Sequence, residues 1–290
     1  MWIAFTFLAA MMQAWRNALQ SQLSHHVNVV GVTLARFIIA GPIAAVYLWS
    51  LQQFVDTAPM QFNPHFAKFV LLAALMQIIA TALMVKLFSL KNYAIGAGLA
   101  KSEAMVAAIL GMVFFGTQLT PLGWVGVCVG GVAVLILSGI KSHQGLSVTT
   151  VLIGLASGSA FALTSLSVRE ASLQLHGPFA LRAAWVLLCV IALQTCLLML
   201  YLCITDRATL KALWHKRKLT VAISVTSCIG SIGWFSAMAI ESVPLVKTLG
   251  QVEVFFMLLI SRYWLKQGTS KSDMLGLLLI AIAAILVMWS

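Results

Sequence analysis

The sequence predicts an all-α integral membrane protein: ten transmembrane helices forming two inverted five-helix repeats around a central cavity. Three observations lead there. Charged residues make up only 9% of the chain, where soluble domains carry about a quarter. Mean hydropathy is +1.01, and the apolar residues fall into blocks of about 20, the length that crosses a hydrocarbon core as a helix. Inside two of those blocks, 150 positions apart, lie the carboxylates Glu103 and Glu253. A charge at the bilayer centre costs at least ~2.5–3.5 kcal/mol, so each acid needs a reason to be there.

The blocks follow in order. Trp2–Gln20 has no basic stretch before it and its charge, Arg16, comes late, so it reads as a retained span and not as a cleaved leader. Val29–Ser50 opens near Arg36 and contains Pro42, which introduces a kink or joint. Phe66–Phe88 carries one mid-helix amide, Gln77. Ile95–Gly116 packs small residues around Lys101 and Glu103, which lets neighbouring helices approach closely. Leu122–Ser138 is Gly-rich and uncharged. Val148–Val168 carries Ser157, Ser159, Thr164 and Ser165. Ala180–Thr205 opens with Arg182 and spaces Cys189, Cys196 and Cys203 seven apart, as small packing residues. Leu219–Ile240 combines Ser227, Gly230, Ser231, Gly233 and Ser236 with Trp234, which lies too deep for an interfacial aromatic belt. Leu245–Leu265 holds Lys247, Gln251 and Glu253, with Pro244 easily accommodated at its start. Met274–Trp289 is the tenth.

Backbone groups in such spans must be satisfied internally, so the spans are helices. The alternation that a membrane β-barrel needs is missing. The short connectors leave no room for a nucleotide-binding domain, which excludes an ATP-driven pump. Signatures of metalloproteases, P-loops and acid-cluster enzymes do not occur, and neither CxxC nor a Cys/His metal spacing is present. The reading is therefore not an enzyme, with no cofactor and no metal. The net charge of +11 does not point to nucleic acid, because the basic residues lie mostly at helix ends, where they meet lipid headgroups.

Those charges also orient the chain. Arg16, Arg36, Lys86, Lys91, Lys141, Arg207, Lys211, Lys216, Arg217, Lys218, Arg262, Lys266 and Lys271 fall on the odd-numbered connectors and their helix ends; Lys68, Arg169, Arg182 and Lys247 fall on the even side. The positive-inside rule places the odd side in the cytoplasm and both termini outside it. Asp206–Lys218, the longest basic connector, reads as a short amphipathic helix on that surface.

Ten spans divide as residues 1–145 and 146–290. A shift of 150 aligns Leu99 with Leu249, Glu103 with Glu253, Gly126 with Gly276 and Ala133 with Ala283 without gaps. Arg36 and Arg182 sit at equivalent helix starts and read as interfacial or structural. An odd number of spans per half inverts the second half, a construction found in secondary transporters with midplane substrate sites.

At this point the chain resembles EamA-type ten-helix members of the drug/metabolite transporter superfamily. The likeness is carried by TLARFIIAGPIA (Thr33–Ala44), FFGTQLTPLGWVGVCVGGVAVLIL (Phe114–Leu137), GLASGSAFALTSLSVREASL (Gly154–Leu173) and GQVEVFFMLLISRYWLKQGTSKSDMLGLLLIAIAAILV (Gly250–Val287), and it runs over essentially the whole chain. There are departures. Where the family often has Gly-Glu-Arg after the fourth helix, this chain has Gly116-Thr117-Gln118. The family usually has basic residues after the second helix and cytoplasmic termini; here Gln52–His65 contains Asp56 and neither Lys nor Arg. The resemblance thus places both termini inside, against the charge count.

The candidate cavity residues are Lys101, Glu103, Lys247, Gln251, Glu253, Trp234, Gln77, Gln13 and Arg16. Lys101 and Glu103, two apart, lie about 200° apart around a helix and face different neighbours. Lys247 and Gln251, at i,i+4 spacing, share a face, with Glu253 elsewhere. One acid would carry a coupling proton, and a lysine would hold an anionic group of a solute. The bland alternative pairs Lys101 with Glu253, or Glu103 with Lys247, as fixed structural bridges that lock the halves together. Arg16 reads either as snorkelling to the interface or as guarding the cavity mouth. The expected function is a secondary transporter of small amino-acid-like or amphipathic solutes, working by alternating access across the inner (cytoplasmic) membrane. Export is the direction that the resemblance implies. The alternatives are a flippase for lipids or lipid-linked phosphates and, further off, a membrane-embedded enzyme. The partners are a small-molecule substrate and the lipid bilayer; a homodimer is compatible with the sequence.

Overall fold

The computed structural model describes residues 1–54, 60–90, 103–137, 148–263 and 271–289. Those residues are helical, with short connectors and no strand. The helices are α1 (Trp2–Ser24), α2 (Val29–Ala35), α3 (Ala40–Phe54), α4 (Pro64–Leu90), α5 (Glu103–Phe115), α6 (Pro121–Leu137), α7 (Val148–Leu173), α8 (Phe179–Thr205), α9 (Arg207–His215), α10 (Arg217–Ile240), α11 (Val243–Leu249), α12 (Glu253–Tyr263) and α13 (Lys271–Met288). Among the described residues five stretches are long and apolar enough to cross a membrane: Val29–Phe54, Pro64–Phe88, Leu152–Leu173, Phe179–Thr205 and Arg217–Ile240. At 23 residues α1 is long enough but is not one of them. It carries Arg16, Asn17 and Gln20, all buried against the rest of the bundle.

Two of the expected spans are broken. Val29–Ser50 divides into α2 and α3, with a turn at residues 36–39 between them. Pro42 explains the position of the break. It has no N–H for the carbonyl of Ile38, and its ring clashes with that carbonyl. The backbone groups released there find partners on neighbouring helices. The carbonyl of Ala35 accepts from Ser224 Oγ at 2.6 Å and that of Phe37 from Thr195 Oγ1 at 3.2 Å, while the Ile39 N–H donates to Ser224 Oγ at 3.3 Å. Hydroxyls from α10 and α8 thus take the place of the missing helix bonds, as an apolar environment requires. The second break divides the ninth span into α11 and α12 through a 3-10 turn, Gly250–Val252.

Close helix packing rests on small residues. On α1 Ala9, Ala10 and Ala14 are fully buried, and α1 runs along α10. A Cβ built on Gly233 of α10 would stand 2.7 Å from the Phe5 carbonyl oxygen and 3.1 Å from the Ala9 nitrogen. Both are backbone atoms, so only glycine lets the two helices come this near. Elsewhere α4 packs on α7, α3 on α8, α6 on α13, α5 on α7 and α1 on α12.

The expected amphipathic connector forms α9. Asp206 caps it, with Oδ1 accepting from the Thr209 N–H at 3.1 Å and Oδ2 from the Thr209 hydroxyl at 2.6 Å. Asn28, the cap of α2, donates to Asp206 Oδ2 at 2.8 Å and accepts from the Gly31 N–H at 2.9 Å. One cluster therefore starts two helices. At the opposite end of α10, Arg169 donates to the carbonyls of Met238 and Glu241, and Arg182 donates to that of Ala239 at 3.5 Å. Both guanidiniums meet the carbonyl-rich, negative end of that helix.

Gly233→Val is expected to wedge α1 from α10 and lower stability by roughly 1–3 kcal/mol, the usual range for overpacking. A thermal melt of the purified variant in detergent measures this, and an unchanged Tm would mean that the helices yield freely there. The Asp206 carboxyl is held below its usual range by its bonds to Thr209 and Asn28. A carboxylate so depressed stabilises the fold above its unfolded pKa, and that stabilisation is lost as pH falls through the folded one. Asp206→Asn, which keeps a capping oxygen, is expected to flatten the acid limb of Tm against pH.

Candidate functional site

The broken helices bring their polar residues to one place. Glu103, the first described residue of α5, forms an ion pair with Lys247 of α11, with Oε1 and Nζ 2.9 Å apart. The same carboxylate oxygen accepts from Ser165 Oγ of α7 at 2.9 Å. The Lys247 ammonium also lies 4.0 Å from the centre of the Trp234 ring, a cation–π contact. Trp234 donates its indole N–H to Gln13 Oε1 at 2.9 Å. Gln13 in turn donates to Glu253 Oε2 at 2.5 Å, and Asn17 donates to Glu253 Oε1 at 2.8 Å. Arg16 closes the series, with its Nη2 donating to Asn17 Oδ1 at 2.8 Å. The result is one continuous polar chain from Ser165 through Glu103, Lys247, Trp234, Gln13, Glu253 and Asn17 to Arg16.

Glycine makes room for its centre. A Cβ on Gly250 would lie 2.3 Å from Trp234 Cη2, so the 3-10 turn can pass the indole only without a side chain there. Beside the chain is a small cavity of about 30 Å³, walled by Gln13, Asn17, Arg36, Gln77, Glu103, Ser165, Ser231, Trp234 and Lys247 together with Met84, Phe161, Thr164, Val168, Phe235 and Met238. Roughly 10–15 Å³ of such space is needed for one water. In this conformation the cavity therefore admits water and excludes an organic solute.

The candidates distribute as follows. Gln13, Glu103, Trp234, Gln77 and Lys247 line the cavity. Gln77 accepts from Gln194 Nε2 at 2.7 Å. Glu253 is fully buried behind Gln13 and Asn17. Arg16 is 2% exposed, so of its two readings the snorkelling one does not hold. Lys101 lies outside the described residues. Gln251 and Lys247 do not share surroundings, because the 3-10 turn between them breaks the α-helical register. Gln251 points at α6, where a Cβ on Gly130 would stand 2.2 Å from its Oε1, and its buried amide has no hydrogen-bond partner among the described residues. Of the two alternative fixed pairings, Glu103 with Lys247 forms.

Sequence reasoning placed Arg36 at the interface or in a structural role, equivalent to Arg182. Of these two the structural role fits, because Arg36 is 2% exposed and lines the cavity. Its Nε donates to Ser227 Oγ at 3.1 Å and its Nη1 to Thr81 Oγ1 at 2.7 Å. The signal that could have placed it was Pro42, six residues on, which breaks the helix and turns residue 36 inward. Asn17 was likewise passed over; it lies four residues after Gln13, on the same helical face. No group of three His, Cys, Asp or Glu side chains that could hold a metal occurs among the described residues.

Fold and site together define an all-α bundle with membrane-length apolar helices and a buried ionic chain at its centre. No family model matches the sequence, and no curated protein matches it. A solved structure described only as the crystal structure of a protein is similar to it, with a TM-score of 0.72 at 16% identity over 99% of this chain and 96% of that one. That likeness shows the fold alone.

The ion pair generates a prediction. Lys247→Met leaves Glu103 buried without its cation and is expected to destabilise by about 3–5 kcal/mol, whereas Lys247→Met with Glu103→Gln recovers most of the loss. Thermal unfolding of both single variants and the double variant closes the cycle. Additive losses would show that the two groups do not interact.

Proposed function

We propose that the protein is a secondary transporter of the EamA type, built from ten transmembrane helices in two inverted five-helix repeats and moving small organic solutes across the inner membrane by alternating access. The observation that carries this reading is the way the buried polar contacts connect the halves. Glu103 with Lys247, Glu103 with Ser165, Gln13 with Glu253, Asn17 with Glu253, Gln13 with Trp234 and Arg36 with Ser227 each join residues 1–145 to residues 146–290. Ionisable groups inside a membrane bundle mark solute and proton pathways, and repeat interfaces carry such sites in transporters.

The helix packing supports the inverted repeat. Exchanging the first span with the sixth, the second with the seventh and so on converts α1 against α10 into α7 against α4, and α5 against α7 into α12 against α1. The pairs α3 with α8 and α6 with α13 map onto themselves. Discontinuous second and ninth spans flank the cavity, and such broken helices recur at transporter sites. A cavity closed to organic solutes suits the occluded step of an alternating-access cycle. In this reading the chain is a carrier and not an enzyme, and one of Glu103 and Glu253 carries the coupling proton. A lipid flippase is the second reading. It is favoured by an open groove of about 780 Å³ whose lining includes Leu213, Trp214, Arg217 and Lys218.

The experiment has two stages. Purified protein is screened by thermal shift against amino acids, nucleosides, amines and lipid phosphates, since ligands of the folded state raise Tm by mass action. Solutes that stabilise are then loaded into proteoliposomes for counterflow. Flux above protein-free liposomes is expected, with pH-gradient-driven flux abolished in Glu103→Gln or Glu253→Gln. Undiminished gradient-driven flux in both variants would remove the proton role, and absence of counterflow would remove the transporter reading.

A further inference from the structure

We infer that Arg36 is the anchor for a carboxylate on the solute, which makes the substrate class small organic monocarboxylates with an apolar body. The inference rests on the transporter reading and adds the chemistry of its ligand.

The first observation is the partner set of Arg36. A guanidinium offers five N–H donors in a planar fork. Here Nε and Nη1 are engaged by the hydroxyls of Ser227 and Thr81, and the Phe37 ring lies 5.3 Å from the guanidinium carbon. Among the described residues these are the two side-chain bonds of the guanidinium, and no carboxylate pairs with it. Uncompensated burial of a cation is costly in a bundle this apolar. Two hydroxyls hold the fork in place without neutralising it, and Arg36 lines the cavity.

The second observation is the balance of charge. Among the described residues the buried core of the bundle contains three cations, Arg16, Arg36 and Lys247, and two carboxylates, Glu103 and Glu253. Lys247 is taken by Glu103. Among the described residues one further negative charge would balance that count. A monocarboxylate supplies that charge with two oxygens in the geometry that an arginine fork matches, whereas a phosphate dianion oversupplies it. Met84, Phe161, Val168, Phe235 and Met238 on the same walls suit an apolar body. The closed cavity is too small for it, so the solute enters when the halves part.

The test uses the full chain in nanodiscs of zwitterionic lipid, with isovalerate, its neutral analogue isovaleramide and inorganic phosphate as probes. Isovalerate is expected to raise Tm, and the other two are expected not to. Arg36→Gln is expected to weaken the isovalerate response at least about tenfold, the loss of one charge-assisted hydrogen bond. Arg36→Lys, which keeps the charge and loses the fork, is expected to weaken it as well while retaining the fold. Should Arg36→Gln fail to fold, the carboxylate-to-amide contrast in the wild type and the Arg36→Lys titration decide the matter. Equal responses to the acid and the amide, a larger response to phosphate, no response to isovalerate, or an isovalerate response untouched by both substitutions would each overturn the proposal. Isovalerate counterflow is measured in parallel to separate it from the transporter reading. Binding that needs Arg36 without any flux removes transport and keeps the site, while flux that Arg36→Gln leaves unchanged removes the site and keeps transport.

Discussion

Everything at the centre of this molecule depends on one constraint: charges placed in an apolar bundle must be solvated by side chains. Water does that elsewhere; here the work falls to Ser165, Gln13, Asn17, Trp234 and the hydroxyls of Ser227 and Thr81. Removing one partner of a buried ion pair costs several kcal/mol because the remaining charge has nowhere to go. The Glu103–Lys247 pair therefore fixes where α5 and α11 lie, and through Trp234 it fixes the side of α1 that faces α10. Small residues follow from the same need. Gly233 lets α1 and α10 approach, and Gly250 lets the turn after Lys247 clear the indole.

The broken helices are a second consequence. A straight second span would keep Arg36 on a continuous helical face, but the break one turn before Pro42 detaches it. The carbonyls so released would be costly in hydrocarbon. Ser224 and Thr195 capture them, and Ser227, one turn after Ser224 on α10, holds the guanidinium. The same helix thus repairs the backbone and positions the charge.

The all-α character and the long apolar helices were legible because they follow from composition: blocks of apolar residues about 20 long have few alternatives. Glu103, Glu253, Lys247 and Trp234 stood out because charges and a deep indole are conspicuous in such blocks. What they touch was not legible. Which lysine meets which acid depends on helix orientation, and Glu103 and Lys247 are 144 residues apart. A regular helix predicts that Lys247 and Gln251 share a face, yet three residues of 3-10 turn send them to different neighbours. Which of its two roles Arg36 takes was hidden for the same reason, since near the start of an apolar block an arginine looks interfacial unless the local break is foreseen. Asn17 was hidden by its ordinary chemistry; an amide at a helix end draws no notice until it accepts from an arginine and donates to a glutamate.

On the proposed transporter reading, the contacts between residues 1–145 and 146–290 also set the terms of the motion. Parting them exposes Glu103, Lys247, Glu253 and Arg36 from their partners together. Each hydrogen bond is worth only about 0.5–1.5 kcal/mol net when water replaces it, but an ion pair broken without replacement costs about 3–5 kcal/mol. An opening that admits water to the Lys247 side therefore meets a modest barrier, and one that leaves the pair dry meets a large one. Proton binding to Glu103 would remove the pair's attraction at its source, and an anion on Arg36 would offer the neighbouring cations a new partner. On the proposed cycle these two events act in the same direction, because each lowers the cost of separating helices that charge otherwise holds together.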